Sequence, residues 1–227
     1  MQQSKYFRIR FACFLISLFV FTFIPPKLTH SDTADLALIV SEIQKKYESV
    51  KEVEAVCVEE TFNKTLDKKF KFKGMLYIKK PDKVRMEIKE PEEQLIVANG
   101  SFIWIYIPEN NQVVKEKMDE NNKSKLAITI LTGMAKLDRD FNIYKDQGSS
   151  KNYIVRLIPK ESTGFIKKMN LEINKKKYDI EKVVVEDSLG NWTSYELSEV
   201  KINSSISDSK FDFKIPGGVE LVESSGE

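Results

Sequence analysis

Between residues 70 and 200 the chain returns again and again to one pattern, apolar and polar side chains in alternation. In FKFKGMLYIKK (70–80), Phe70, Phe72, Leu76 and Ile78 share one side, and Lys71, Lys73, Tyr77 and Lys79 the other. In VRMEIK (84–89), Val84, Met86 and Ile88 oppose Arg85, Glu87 and Lys89. YIVRLI (153–158), MNLEI (169–173), KVVVED (182–187) and WTSYELSEV (192–200) follow. A period of two is that of a half-buried strand. Turn signals separate the runs: Lys80-Pro81-Asp82, Asn99-Gly100, Glu109-Asn110-Asn111, Gly148-Ser149-Ser150 and Gly190-Asn191. Strands at this spacing predict one antiparallel meander with an apolar and a polar face.

Three stretches depart from the pattern. SFIWIYI (101–107) has no polar side, with Ile103, Ile105 and Ile107 opposite Phe102, Trp104 and Tyr106. The period says which residues share a face, not which face is inside. The aliphatic side suits an interior, with Trp104 and Tyr106 on the convex side and their polar tips toward water or a partner. Asp32 to Val50 carries Leu36, Ile39, Val40, Ile43, Tyr47 and Val50 at helical steps, a helix with one buried stripe. KSKLAITILTGMAKL (123–137) places Leu126, Ile130, Leu131, Met134 and Leu137 at helical spacing, and LDRDFNIYKD (137–146) reads as a short helix or turn.

These elements predict a mainly β (α+β) fold. A curved antiparallel sheet forms an incomplete barrel, and helices cover its concave face. The interior would be lined by Ile43, Phe72, Leu76, Val84, Met86, Ile88, Ile103, Ile105 and Leu171. Such a barrel is either filled by its own side chains or holds one ligand. No repeat or linker divides the chain, so one domain is expected over 32–223, with a frayed tail at 224–227.

Residues 1–31 are of another kind. Lys5, Arg8 and Arg10 precede the apolar run FACFLISLFVFTFI (11–24), which ends at Pro25-Pro26. The run is shorter than the roughly 20 residues of a spanning helix, which favours a cleaved secretory signal over a retained anchor. Thr29 and Ser31 are suitably small for cleavage before Asp32, and Cys13 lies within the apolar run, outside any lipobox. The segment holds four basic residues and no acids. The mature chain would therefore carry 32 basic against 34 acidic residues, a net charge of −2. Lysine-rich stretches alternate with Glu and Asp, so nucleic acid is not an expected partner.

The missing residue types narrow the chemistry. The only histidine, His30, would leave with the signal, and Cys57 would be the one remaining cysteine. Ser-His-Asp and Cys-His catalysis, histidine metal sites and an internal disulfide are thereby excluded. Cys57, in AVCV, reads as a buried structural thiol. Carboxylates in EPEE (90–93) and VEDS (185–188) could in principle serve a glycosidase, but they read as solvated strand ends and turns. No glycine-rich phosphate loop occurs. No catalytic residue, metal or cofactor is expected, and the chain does not read as an enzyme.

One stretch carries a family pattern. YIKKPDKVRMEIKEPEEQLIVANGSFIWIYIPENNQVV (77–114) contains Lys80-Pro81, Arg85, Pro91, Gln94-Leu95-Ile96-Val97, Asn99-Gly100, Trp104-Ile105-Tyr106 and Gln112-Val113 in order. With ILTG (130–133), EDSLGNWTSYELSEV (186–200) and FDFKIPGGVELVE (211–223), it resembles the outer-membrane lipoprotein carrier family, LolA. The resemblance implies an incomplete barrel whose cavity holds the acyl chains of lipoproteins. It implies a periplasmic monomer that receives acylated lipoproteins from an inner-membrane ABC transporter and passes them to an outer-membrane acceptor. It also implies a helical lid, here Leu126, Ile130, Leu131 and Met134, held by the basic residue before the motif proline, Lys80. Many members have arginine there. Lysine lacks the planar fork of donors, which predicts a weaker clasp. A LolA-like fold serving as an envelope interaction or regulatory module, or as a carrier of another amphiphile such as a glycolipid, is the alternative.

Overall fold

The computed structural model describes residues 31–118, 136–161 and 166–224. Residues 1–30 of the expected signal segment (1–31) and the lid residues Leu126, Ile130, Leu131 and Met134 lie outside them. A helix, α1 (Ser31–Glu48), leads into β1 (Glu52–Asn63), β2 (Lys68–Lys79), β3 (Lys83–Glu90), β4 (Gln94–Asn99), β5 (Phe102–Ile107) and β6 (Gln112–Lys117). After a single helical turn, α2 (Leu137–Asp140), come β7 (Phe141–Asp146), β8 (Asn152–Pro159), β9 (Ile166–Asn174), β10 (Ile180–Asp187), β11 (Trp192–Ile202) and, last, β12 (Glu220–Ser224).

The strands form one 12-stranded sheet in the order β12-β6-β5-β4-β3-β2-β1-β11-β10-β9-β8-β7. Edges β7 and β12 do not pair, so the sheet is open. It is two meanders, not the single one expected. The last strand of the long C-terminal run, β11, returns to pair with β1, and β12 joins β6 in parallel. The sequence 137–146 also holds a strand, β7, where a helix or turn was expected. Its alternation is short and its residues largely polar.

Helix α1 lies on the concave side. Ile39, Ile43 and Tyr47 recur every four residues and are all buried in the main core cluster, joined by Leu76, Ile78, Val84, Met86, Ile88, Leu171 and Val183. Lys45 and Lys46 close its last turn, where cations favour the helix dipole.

The convex side answers the puzzle of SFIWIYI. Trp104 pairs across strands with Val97, and Tyr106 with Val113. Val97 and Val113 are fully buried, yet neither belongs to the concave cluster. They are covered by the segment after β11. It contains a 3-10 turn (Asp208–Phe211) that touches β3 and β4. Phe211 is 2% exposed, and the Phe213 ring lies 6.0 Å from Trp104 and 6.4 Å from Tyr106. The rings of Trp104 and Tyr106 therefore meet the chain's own C-terminal segment. The segment is fastened at its start. The Ile206 N–H donates to Glu52 Oε2 at 2.8 Å, and Lys79 Nζ donates to the Ile206 carbonyl at 2.7 Å while pairing with Glu52 and Asp208. The Ile206 N–H holds the Glu52 carboxyl below its usual range, helped by Lys79.

Candidate functional site

The inner wall is built by register. Partners on one face run Ala55–Leu76–Met86–Ile96–Ile105–Val114 from β1 to β6. A second row runs Val155–Leu171–Val183–Tyr195–Glu59–Phe72 from β8 across to β2. Of the wall residues expected from sequence, Ile43, Leu76, Val84, Met86, Ile88, Ile103 and Leu171 are buried in one cluster, and Phe72 and Ile105 pack against it. Ile103 and Ile105 thus lie on the concave face. The contribution of β1 was not legible. Val53, Ala55 and Cys57 line the wall, but Val56 and Val58 on the opposite side blur the alternation. The Cys57 thiol is fully buried, and burial pushes its pKa up to about 12. It is packing, not a nucleophile.

Along α1 runs a groove of about 540 Å³ lined by Leu36, Val40, Ile143, Gln44, Glu48 and Asp138; Leu36, Val40 and Ile143 also pack against the core cluster. That volume is within the range of small-molecule sites. The helix is held firmly at its C-terminal end. The Ile180 N–H donates to Tyr47 Oη at 2.8 Å, and burial raises the Tyr47 phenol to about 12. Lys46 pairs with Asp179, Lys136 pairs with Glu48, and the Leu137 N–H donates to Gln44 Oε1. Toward the N-terminal end, Asp35 pairs with Lys145.

Lys80 belongs to this clamp. Its Nζ donates to the Tyr47 and Glu48 carbonyls, both at 3.3 Å. These are the last carbonyls of α1, which lack intrahelical donors. Both bonds are long, as expected of a point-charge ammonium sharing itself between two acceptors. Burial holds the Lys80 pKa below its ordinary value.

The one carboxylate in the middle of the wall rows is Glu59, between Tyr195 and Phe72. It accepts from the Thr61 hydroxyl at 3.5 Å, which itself meets Thr193 at 3.1 Å. Burial raises the Glu59 pKa. The folded chain therefore binds this proton more tightly than the unfolded chain, and the cost of ionising Glu59 grows as pH rises through the carboxylate range. Glu59→Gln is expected to raise stability by about 1 kcal/mol at pH 7. The gain should vanish below about pH 4, where unfolded carboxylates are also protonated. Urea unfolding of both proteins at the two pH values checks this, and an equal gain at both would contradict it. No group of three or more His, Cys, Asp or Glu that could hold a metal occurs among the described residues.

The family model described as outer membrane lipoprotein carrier protein LolA matches residues 48–214. The chain belongs to the LolA family. Proteins named outer-membrane lipoprotein carrier protein are similar to it in sequence. That of Pseudomonas aeruginosa is 26% identical over 151 residues, 66% of this chain and 71% of the relative. That of Nitrosomonas europaea is 28% identical over 173 residues, covering 74% and 83%. That of Dechloromonas aromatica is 31% identical over 150 residues, covering 66% and 70%. Among solved structures, an uncharacterised conserved protein from Thermus thermophilus shares the fold, with a TM-score of 0.50 at 14% identity over 84% of this chain and 99% of that one. The LolA match begins at Glu48, the end of α1, and closes at Lys214, just past Phe213. It spans most of the wall, Lys80 and the convex-side aromatics, while the groove residues Leu36, Val40 and Gln44 of α1 lie before it.

Proposed function

We propose that this protein is a carrier of acylated lipoproteins, not an enzyme, holding acyl chains against the concave wall beneath and beside α1. The observation that carries the reading is the continuous apolar wall with a 540 Å³ groove opening along a helix clamped at its C-terminal end. Each acyl methylene moved from water to such a wall contributes about 0.8 kcal/mol. Capture needs no catalytic group, and release needs only that the helix or its neighbours yield at modest cost. LolA membership and the names of its relatives support the cargo class. On this reading the protein is secreted through its N-terminal signal and works as a monomer in the periplasm. It takes lipoproteins from an inner-membrane ABC transporter and gives them up to an acceptor at the outer membrane.

The test is capture. The secreted form is mixed with a detergent-solubilised triacylated lipoprotein, the detergent is removed, and complexes are separated by gel filtration. The acylated lipoprotein should co-elute and remain soluble, and its enzymatically deacylated form should not. Val40→Glu, in the groove lining, is expected to weaken capture at least tenfold while the protein stays folded by circular dichroism; because Val40 also packs against the core, its thermal midpoint should fall as well. A carboxylate facing an acyl chain costs more than about 1.4 kcal/mol. Equal retention of acylated and deacylated forms would overturn the reading. Retention of an envelope protein without any acyl dependence would favour the regulatory-module role.

A further inference from the structure

Two hairpin ends sit side by side at one extremity of the sheet. Strand β1 pairs with β11 up to Phe62 opposite Trp192, so the turn after β1 and the turn before β11 are neighbours. Contacts between them are direct, the Lys64 N–H donating to Asn191 Oδ1 at 2.9 Å. Each turn is braced by its own side chains. Asn63 Oδ1 accepts from the Leu66 N–H at 2.9 Å. Asp187, 5% exposed, accepts from the Leu189 and Asn191 N–H groups, both at 2.9 Å, and from the Asn191 amide at 2.8 Å. The bracing holds a leucine out on each turn. Leu189 is 70% exposed and Leu66 57%, and Phe70 beside them is 43% exposed.

The surroundings are basic. Lys64, Lys68, Lys69, Lys71 and Lys73 are all exposed on the first hairpin. Lys69 pairs with Glu60 and lies 5.1 Å over the Trp192 ring. Lys73 pairs with Glu90 at 3.8 Å, while Lys167 and Lys168 share Glu186. Asp67 is the remaining acid on the first turn, and the Asp187 carboxylate is taken up within the second. Exposed cations outnumber acids around the apolar tips.

We propose that these paired turns dock the protein on an anionic phospholipid surface, with Leu66 and Leu189 entering the interface and the lysines meeting headgroup phosphates. Charge complementarity names the occupant. Lysines near an anionic leaflet are each attracted, and apolar side chains among them enter the boundary between headgroups and acyl chains. Two projecting turns offer far less area than a specific protein interface requires. Their backbone is already bonded within the hairpins, so shallow insertion leaves few groups unpaired. The tips adjoin a cleft of about 210 Å³ lined by Thr61, Phe62, Trp192 and Tyr195, so a docked molecule would present this end of its inner wall to the membrane. The inference stands whatever the cargo is.

Vesicle flotation tests it. The secreted form should float with vesicles of phosphatidylglycerol and phosphatidylcholine at low salt, and stay behind with pure phosphatidylcholine. Binding should weaken as salt rises. Leu66→Ser combined with Leu189→Ser should lower vesicle affinity at least about tenfold, as should Lys68→Gln combined with Lys71→Gln. Both variants change exposed residues of the turns or of the start of β2, so their thermal midpoints and lipoprotein capture should match the parent. A fluorophore on Leu66→Cys should shift to the blue with anionic vesicles, the buried Cys57 being unlabelled. Failure of the parent to float, or undiminished flotation of the double-leucine variant, would overturn the proposal. Capture lost while flotation persists would count against the carrier reading alone.

Discussion

Phe211→Ala should destabilise the protein by about 4 kcal/mol. The side chain is 2% exposed and sits on the turn that packs the C-terminal segment against β3 and β4, away from the concave cluster. Truncation leaves a hole on the convex side against β4, whose Val97 is fully buried. Two residues on, Phe213 faces Trp104 at 6.0 Å, so the variant's tryptophan emission should also shift to the red as the segment loosens. Differential scanning calorimetry should place the midpoint roughly 10 °C lower. Ile215→Ala, at a side chain 42% exposed further along the segment, should cost under about 0.5 kcal/mol. Equal effects at the two positions would mean that the segment is not anchored through Phe211.

Gly74→Val should be as damaging from the other side. A Cβ at Gly74 would lie 2.0 Å from the Glu87 carbonyl oxygen and 2.8 Å from Ile88 Cα. These are backbone atoms of β3, at the point where the β2–β3 register shifts between Lys73 and Gly74. No rotamer relieves such a contact. The strand pair must part, at about 3 kcal/mol or more. Urea denaturation followed by far-ultraviolet circular dichroism measures this, and a midpoint like that of the parent would rule out the close approach. Because Leu76 and Met86 pair just beyond it, a folded variant should also capture acyl chains less well.

The alternating runs announced most of the sheet, because each has one face in the core and period two records that directly. Which strands would meet was less legible. The pairing of β1 with β11 joins residues some 140 positions apart, and its only local trace is the muted pattern of AVCVEETF, where small core side chains and Val56 and Val58 opposite them erase the contrast. Strand β7 was hidden for a related reason: it is an edge, and polar residues dominate it. The wall residues Met86 and Leu171 could be named from period alone, since alternation places Met86 with Val84 and Ile88 and Leu171 with Met169 and Ile173. Glu59 could not. In sequence it is one acid of a Glu-Glu pair, and only the register shows that it faces inward while Glu60 faces out to Lys69. The cover over Trp104 was invisible because Phe211 and Phe213 come more than a hundred residues later, in a segment without period.

The convex-side segment has a mechanical consequence. Strands β3 to β6 are sandwiched between two apolar layers, α1 and the inner cluster on one side, Val97, Val113 and Phe211 on the other. Among the described residues, strands β8 to β10 have only the inner one. Their outer face carries polar pairs such as Arg156 opposite Asn170, Glu172 opposite Lys182, and Lys168 with Glu186. Bending a sheet is resisted by close packing on both sides far more than by packing on one. The barrel wall is therefore stiff in one half and compliant in the other. Swelling to accommodate a bulky guest would be borne by β8 to β10, while the motif-bearing half keeps its curvature and serves as the fixed jaw.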